Sequence, residues 1–507
     1  MEAAQKNPVK PPYGLIAVLM IGAFIAFLNN TLLNIALPSI MTDLNVDTAT
    51  VQWLTTGFML VNGILIPATA FLIRKYSVRT LFLAAMVLFT TGTFIAGFAD
   101  VFSILLIGRM MQASGSAILM PLLMNVMLIS FPVEKRGAAM GIFGLILMAA
   151  PAIGPTLSGW IVEHYDWRML FHFISPIAVL VLLLGFFWLK DKKEKQNIKL
   201  DIVSLIFSSI GFGGVLYGFS SAGSKGWDSP YVYLTIIIGV ISLFIFIIRQ
   251  KRQTEPMLNF GVFQFPMFAL ASIITMVLNM AMFSGMLLIP IYVQTIRGIS
   301  PMDAGLMMLP GALVMAFMSP ITGKLFDKYG GRVLAILGLI ITVSTTYFFS
   351  KLAMDTTYTH LVILNTVRML GMSMVMMPVS TNGLNQLPPR FYPHGTAMNN
   401  TLNQVSGAIG TALLVTIMTN RTTSTGEELA KEAMINNGGA ELSEAAMAQI
   451  GMEATLQGIN FSFFISTFIA AIALILAFFI KRAAPAEDPI EVSKKEEINK
   501  SKLVGNE

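Results

Sequence analysis

Two stretches of the chain, FLIRKYSVRTL at residues 71–81 and KLFDKYGGRVL at residues 324–334, repeat one another. They share the pattern L-x-x-K-Y-x-x-R-x-L at an offset of 253 residues (324 minus 71). Each stretch joins two long apolar segments, and short basic loops between apolar segments are typical of the cytoplasmic side of a membrane. The repeat therefore indicates two related halves, each built from the same order of helices.

The apolar segments around these loops place the chain in a membrane. Hydrophobic residues make up 55% of the 507 residues and charged residues only 12%, and the mean hydropathy is +0.73. Apolar runs long enough to cross a hydrocarbon core of about 30 Å recur along the chain. The sequence contains no cysteine, which excludes disulfides and thiolate metal sites. We therefore predict an all-α membrane protein that contacts the lipid bilayer.

Apolar stretches between polar residues predict fourteen membrane-spanning helices in an order of six, two and six. Their expected ranges are 14–37, 49–73, 80–99, 102–129, 137–162, 168–189, 201–222, 230–249, 265–295, 302–325, 331–350, 358–382, 394–419 and 456–480. The corresponding regions are a cytoplasmic N-terminal tail (1–13), an N-terminal six-helix half (14–189), a linker with two inserted helices (190–262), a C-terminal six-helix half (263–480) with an extracellular loop at 421–454, and a charged cytoplasmic tail (481–507).

The basic residues indicate the orientation. With both termini in the cytoplasm, 25 of the 33 Lys and Arg residues lie on the cytoplasmic side and six on the outer side. The positive-inside rule favours this orientation and an even number of spans. The other two, Arg109 and Arg368, lie inside predicted helices. Because topology explains the basic loops, the net charge of +6 does not indicate a nucleic-acid partner.

Amide and guanidinium side chains interrupt several apolar segments, beginning with AFLNNTLLNIALPSI at residues 26–40. We expect the following residues to line a central cavity: Asn29, Asn30, Asn34, Arg109, Gln112, Arg368, Asn399 and Asn403. Amides both donate and accept hydrogen bonds, which suits hydroxyl-rich or amide-rich ligands. The alternative is that the amides form hydrogen bonds between helices, worth about 0.6 kcal/mol each, and that the arginines brace the bundle.

Several motifs together resemble the major facilitator superfamily, in particular its fourteen-span drug:proton antiporter branch of the EmrB/QacA type, and within it the lincomycin-resistance exporters. The motifs are LNNTLLNIALP (28–38), RMMQASGSA (109–117), APAIGPTLSGW (150–160), DWRMLFHFISP (166–176) and GKLFDKYGGR (323–332). The resemblance implies a secondary active exporter of amphipathic drugs or antibiotics, of multidrug or lincosamide type, in a bacterial-type plasma membrane. It also implies proton antiport by alternating access, with the proton gradient as energy source and no cofactor. We expect a monomer.

The resemblance assigns gating roles to two groups of residues. Gly154, Pro155 and Gly159 would lie at a bend of the fifth helix, and Asp327, Lys328 and Arg332 would lie at a cytoplasmic gate.

Two motifs depart from the family pattern. Asn29 stands where the first-helix signature has Asp, and Arg74 and Ser77 stand where the first loop motif has Asp and Gly. Asn cannot bind a proton as a carboxylate does, so coupling needs another group, and the amino-terminal gate must latch differently. Every acidic residue lies at a span end, in a loop or in a tail. Glu163 and Asp303, at the outer ends of two helices, are the proton-coupling candidates; the alternative is that both are interface carboxylates in contact with water.

Two other functions remain as alternatives at this point. One is a facilitator or exporter of a specific endogenous solute such as a lipid, peptide or metabolite, with drugs as incidental substrates. The other is an intramembrane enzyme or channel, which is disfavoured because the sequence has no H-E-x-x-H motif, no P-loop and no acidic pair within a span. The missing P-loop also argues against ATP as the energy source.

Overall fold

The computed structural model describes residues 12–46, 48–51, 53–190, 201–436 and 442–484. Within these ranges the chain forms helices, and twelve of them are long and apolar enough to cross a membrane. The α-helices are α1 (Tyr13–Asp43), α2 (Thr48–Val51), α3 (Trp53–Lys75), α4 (Val78–Gly97), α5 (Phe102–Ser130), α6 (Arg136–His164), α7 (Met169–Trp188), α8 (Ile202–Lys225), α9 (Pro230–Arg252), α10 (Pro266–Ile291), α11 (Pro301–Tyr329), α12 (Gly331–Phe349), α13 (Tyr358–Ser373), α14 (Met376–Asn385), α15 (Tyr392–Asn436) and α16 (Glu444–Ala477).

Helix occupies each of the fourteen ranges expected from the sequence. The range 49–73 corresponds to α2 and α3, and the range 265–295 corresponds to α10 and the π-helical turn Tyr292–Ile296 that continues it. The N-terminal tail up to residue 11, the first part of the linker (191–200) and the tail from residue 485 lie outside the described residues.

The stretch 421–454, expected to be an extracellular loop, is helical for most of its length, and its extracellular location stays a prediction. Helix α15 continues to Asn436 and α16 already begins at Glu444, because the stretch EELAKEAM (427–434) is rich in good helix formers. The two helices also pack on each other beyond the apolar segment. Gly458 lies against the Thr422 side chain, and Gly426 faces Ala454. The apolar pattern therefore underestimates the length of both helices.

The single helix expected at 358–382 is interrupted between α13 and α14. Pro378 has no N–H to donate to the carbonyl of Met374, so the regular ladder of hydrogen bonds fails at this point. The N–H groups of Met374 and Val375 instead bond to carbonyls three residues back, at Gly371 and Met372. The fourth span of the C-terminal half is therefore two helices joined by a short break.

Close helix packing repeats in the two halves. In the N-terminal half, Gly115 of α5 lies so close to α4 that an added side chain would collide with the Ala85 carbonyl oxygen. In the C-terminal half, Gly371 of α13 lies in the same way against the Gly338 carbonyl oxygen of α12. The paired positions are separated by 253 residues (338 minus 85) and 256 residues (371 minus 115). The internal repeat of the loops thus extends into the packing of the helices.

The two halves meet along α6 and α11, which run antiparallel. At one end, Gly137 lies against the Gly323 backbone, and at the other end Gly159 faces Met302. Between them, Gly141 packs directly on the backbone of Ser319. Because glycine carries no side chain, the two backbones approach closely at positions 137–141 of α6 and 319–323 of α11.

Both described ends of the chain lie on one side of the bundle. The ring of Tyr13 is 6.4 Å from the ring of Phe131, whose carbonyl accepts a hydrogen bond from Arg136. The Asp327 carboxylate binds the backbone that directly follows Arg136, and Arg482 donates to the Asp327 carbonyl. We call this face the terminal side and the opposite face the outer side.

The inserted helices α8 and α9 are joined at their terminal-side ends. Arg249 of α9 donates two hydrogen bonds to the carboxylate of Asp201, at 2.8 and 3.0 Å, and Asp201 also caps the first turn of α8. Gln250 accepts a hydrogen bond from the Leu258 backbone at 3.0 Å. The inserted pair therefore holds the linker that leads into α10.

A polar cluster ties the outer ends of the N-terminal helices. Asp43 lies beyond the apolar stretch Tyr13–Leu33 of α1 and accepts hydrogen bonds from Trp167 at 3.1 Å and from Arg168 at 2.8 Å. Arg168 also donates to the Ala99 carbonyl at the end of α4. These donors, Trp167 first and then Arg168, lower the pKa of Asp43 below its ordinary value.

We predict that Asp43→Asn lowers the stability of the protein at neutral pH. A lowered carboxylate pKa stabilises the folded state above the ordinary pKa of 3.8, and that contribution disappears as the pH falls through the folded value. The variant should therefore unfold about 1–2 °C below wild type at neutral pH, and the difference should vanish in strong acid.

Thermal unfolding of the purified protein in detergent across this pH range measures the effect. Asp100→Asn is the matched control, because the Asp100 side chain is 94% exposed and 4.0 Å from Arg168. A wild-type unfolding temperature for Asp43→Asn at neutral pH would contradict the prediction.

Candidate functional site

A buried polar network joins α1, α4 and α5 in the N-terminal half. Arg109 donates to Gln112 at 2.9 Å and to Asn30 at 3.2 Å. Asn29 donates to the same oxygen of Gln112 at 3.0 Å. Gln112 in turn donates to the Thr93 hydroxyl at 2.9 Å. The structure thus brings together four of the residues predicted from the sequence, Asn29, Asn30, Arg109 and Gln112, as hydrogen-bonded neighbours.

The charge of Arg109 is stabilised by neutral groups. The side chain is only 1% exposed, its acceptors are two amide oxygens, and its guanidinium lies 4.5 Å from the centre of the Phe58 ring. Amide oxygens and an aromatic face both attract a cation without carrying a full negative charge. Asn29 belongs to this network as a donor, so its position is occupied by a group that does not titrate.

The predicted amides of the C-terminal half form separate pairs. Asn403 accepts a hydrogen bond from Asn279 at 2.8 Å, and Asn399 donates to the Ser380 hydroxyl at 2.9 Å. Asn400 makes a long contact of 3.8 Å across to the sulfur of Met124 on α5. A single cavity that includes both groups of amides stays a prediction. The side chain of Asn34 lies outside the described part of the structure.

Asp327 joins the two halves on the terminal side. Its carboxylate accepts backbone hydrogen bonds from Gly137 at 2.8 Å and from Ala138 at 2.9 Å, in the first turn of α6. The N-terminus of a helix favours an anion, because its N–H groups are unpaired and carry partial positive charge. Lys328 and Arg332, by contrast, are exposed, and Lys328 lies over the ring of Tyr329. Of the three predicted gate residues, Asp327 makes the contact between halves.

Arg136 forms a second contact between the halves that the sequence reasoning missed. It donates to Asn385 at 3.3 Å and to the Tyr392 hydroxyl at 2.9 Å, and its guanidinium lies 4.9 Å from the Tyr392 ring centre. A weaker internal repeat could have indicated this contact. RGAAMG at 136–141 matches HGTAMN at 394–399 in its Gly, Ala and Met positions. Both stretches begin a long helix that faces the other half.

The first repeat loop latches differently from the second. Arg74, at the position equivalent to Asp327, donates to the Pro256 carbonyl at 3.3 Å and to the Glu255 carboxylate at 3.4 Å. A few residues later, the Asn259 backbone donates to the ring nitrogen of His394 at 3.2 Å, in the first turn of α15. The linker after α9 therefore connects the N-terminal loop to the start of α15. A carboxylate at the position of Arg74 would be expected to make this contact directly.

The fifth-helix glycines pack against neighbouring helices. Gly154 lies directly on the Thr31 side chain, and Ser158 donates to the Leu32 carbonyl at 2.5 Å, so this part of α6 is fixed to α1. Gly159 faces Met302 of α11. The ring of Pro155 lies outside the described part of the structure.

The two proton-coupling candidates lie at the outer side. Glu163 is exposed near the end of α6, and Asp303 is exposed in the first turn of α11. Asp303 accepts a hydrogen bond from the Ser300 hydroxyl at 2.8 Å. Their assignment as proton carriers stays a prediction.

A model of the Major Facilitator Superfamily matches residues 19–411 of the chain. The chain belongs to the major facilitator superfamily. It is 46% identical to the MFS-type transporter YhcA of Bacillus subtilis over 98% of both chains. It is also 43% identical to the lincomycin resistance protein LmrB of Bacillus subtilis, over 95% of this chain and 98% of that protein.

Among solved structures, the chain is similar to the human organic anion transporter MFSD10 (TETRAN), with a TM-score of 0.61 and 14% identity over 91% of this chain and 100% of that chain. This likeness concerns the fold alone. Together these findings confirm the predicted family and all-α membrane fold. The protein is a multi-pass membrane transporter rather than an enzyme.

The polar network predicts different effects for two substitutions of Gln112. Gln112→Leu removes the oxygen that accepts from Arg109 and Asn29, and loss of a hydrogen bond to a buried charge costs about 1.5–3 kcal/mol. Gln112→Glu keeps an acceptor and supplies an opposite charge. We expect thermal unfolding at clearly lower temperature for the Leu variant than for the Glu variant. Equal loss in both would contradict this role of the Gln112 oxygen.

The terminal-side contact predicts that Asp327→Asn opens the seam between α6 and α11. An amide oxygen replaces the carboxylate, so at least one charge-assisted bond to the α6 backbone is lost, which corresponds to a roughly tenfold or greater shift toward the open form. The chain has no cysteine, so a single Ser319→Cys reporter can be labelled without background. Ser319 is 3% exposed and lies in the seam.

The maleimide labelling rate of this reporter should rise about tenfold with Asp327→Asn, in line with the population shift. Lys324→Gln on the same helix is the control, because Lys324 is exposed, and should leave the rate unchanged. Equal labelling rates with Asp and Asn at position 327 would contradict the role of Asp327 as a latch.

Proposed function

We propose that this transporter exports amphipathic drugs or antibiotics, of multidrug or lincosamide type, by proton antiport. The observation that supports it most directly is the similarity to LmrB over nearly the whole of both chains. The buried network around Arg109 adds to it, since amide donors and acceptors suit the hydroxyl and amide groups of such compounds.

The proposed transport cycle is alternating access between the two halves. Asp327 and Arg136 hold the halves together on the terminal side, so this side would open when those contacts break. We assign the terminal side to the cytoplasm of a bacterial-type plasma membrane, because the loops on that side carry most of the Lys and Arg residues. The transporter would work as a monomer.

Protons need a group other than Asn29, which acts as a hydrogen-bond donor in the network. We propose Glu163 and Asp303, since α6 and α11 meet near both residues, where Gly159 faces Met302. Closure of the outer side would remove water from these carboxylates and favour their protonated forms. The proton gradient would then supply the energy without a cofactor.

Drug accumulation in expressing cells tests the proposed function. Lincomycin and ethidium should accumulate less in cells with the protein than in cells with an empty vector, and a protonophore should abolish the difference. Export that persists with the protonophore would contradict proton antiport. Export limited to one related group of compounds would favour a specific solute over a multidrug role.

For the proton carriers, we expect Glu163→Gln combined with Asp303→Asn to abolish pH-driven export in membrane vesicles, while substrate binding without a gradient is retained. Glu427→Gln is the matched control, because Glu427 is another exposed carboxylate on the outer side. Intact pH-driven export by the double variant would show that the proton uses a different group.

A further inference from the structure

Two polar residues of α13 are fully buried on one face of the helix. Asn365 and Arg368 are one turn apart, and each is 1% exposed. Arg368 donates to the Ala281 carbonyl of α10 at 2.9 Å, and its guanidinium lies 5.8 Å from the centre of the Phe349 ring. The pair therefore lies inside the C-terminal half, enclosed by neighbouring helices.

Most of the hydrogen-bonding capacity of this pair is unused. Among the residues that the structure describes, the Nε and Nη1 atoms of Arg368 and both amide atoms of Asn365 have no hydrogen-bond partner. Buried polar groups in proteins are normally paired, and a buried cation in a membrane helix is especially unfavourable without acceptors. Several donors that point into one site without acceptors are what an anion-binding site presents.

The N-terminal half has an equivalent pair of polar residues, whose hydrogen bonding differs. Arg109 and Gln112 lie six and three residues before Gly115, which packs on α4; Asn365 and Arg368 lie six and three residues before Gly371, which packs on α12. Each half thus places one guanidinium and one amide at equivalent positions of its fourth span, in exchanged order.

The partner helices explain why the two pairs differ: one buried atom of the N-terminal pair, the Nε of Arg109, has no hydrogen-bond partner, against four atoms of the C-terminal pair. In the N-terminal half, Arg109 bonds to Gln112 and to Asn30 of α1. In the C-terminal half, α10 offers Arg368 the Ala281 carbonyl and, one turn later, Gly285, where an added side chain would collide with the guanidinium. Gly311 of α11 leaves room for Asn365 in the same way. These two glycines therefore let the Arg368 and Asn365 side chains pack directly on the backbones of the neighbouring helices.

The helices around the pair contain irregular segments that can let a ligand reach it. The helix is interrupted between α13 and α14, six residues after Arg368 (374 minus 368). Helix α10 contains Pro290 and continues into the π-helical turn Tyr292–Ile296. Interrupted helices of this kind commonly surround transport sites, because their two parts can move separately.

We propose that Asn365 and Arg368 bind an anionic group of the transported molecule, namely a carboxylate, sulfonate or phosphate carried by an amphiphile. This assignment rests on the proposed function and defines a substrate class for it. The free donors of Arg368 would bind the anionic oxygens, Asn365 would add a further donor, and apolar surface would hold the remainder of the substrate.

Matched amphiphiles test the site on the purified protein. Decanoate, decanol and decyltrimethylammonium share one alkyl chain and differ in charge, so their effects on thermal unfolding isolate the contribution of the anion. Below its micellar concentration, decanoate should raise the unfolding temperature in a saturable way, and the other two probes should not. Stabilisation by all three probes would overturn the proposal.

Variants separate a binding role of Arg368 from bracing of the bundle. Arg368→Met should weaken decanoate binding at least about tenfold, Arg368→Lys should retain part of the affinity, and the exposed Lys324→Gln should match wild type. Without probe, Arg368→Met should unfold at or above the wild-type temperature, because it removes an incompletely paired buried charge. A lower unfolding temperature for Arg368→Met together with unchanged decanoate affinity would show bracing and overturn the proposal.

Transport separates this inference from the proposed function. In membrane vesicles, Arg368→Met should reduce export of the anionic dye 5-carboxyfluorescein at least about tenfold and leave ethidium export near wild type. Equal losses for both dyes would contradict an anion-specific site. If the wild-type protein exports no compound at all, the proposed function fails, and the decanoate titration still decides whether the site exists.

Discussion

The close contact between α6 and α11 is the constraint on which the arrangement of the two halves depends. Glycines at 137, 141 and 323 allow the backbones to meet without side chains between them, and in a lipid environment such close packing is what holds helices together. Asp327 uses the unpaired N–H groups at the start of α6. The same geometry that joins the halves therefore provides a polar latch at one end of the seam, where it can break without disturbing the rest.

The two buried arginines differ in how the protein stabilises their charge. Arg109 donates to two amide oxygens, one from its own helix and one from α1, and its Nε is unpaired among the described residues. Arg368 has one backbone carbonyl and unpaired donors among the described residues. The contacts with the partner helix differ, since Asn30 of α1 supplies an amide oxygen to Arg109, whereas the described contacts of Arg368 with α10 are the Ala281 carbonyl and the Gly285 backbone. The two halves therefore differ in the number of unpaired atoms around their buried arginine, with more of them in the C-terminal half.

The inserted helices take part in the connection between the halves. Because Arg74 replaces the acid found in the second repeat, the first loop binds the linker at Glu255 and Pro256. The linker is held by Gln250 of α9 and reaches His394 at the start of α15. The linker, which belongs to neither half, thus connects the N-terminal loop to the start of α15, as Asp327 connects the C-terminal loop to the start of α6.

The sequence by itself determined the membrane class, the fourteen helical ranges, the family and the internal repeat, because hydrophobic length, loop charge and local motifs are properties of consecutive residues. It also named Asn29, Asn30, Arg109 and Gln112 among the eight residues expected to line a central cavity; the structure places these four as hydrogen-bonded neighbours, and the cavity stays a prediction. It could not give the ends of α15 and α16, the break at Pro378 or the contacts of Arg136, which depend on helices distant in sequence. Above all, only the tertiary structure decided how many acceptors each buried arginine finds, because hydrogen bonds between helices depend on register, and register is fixed by the packing of the whole bundle.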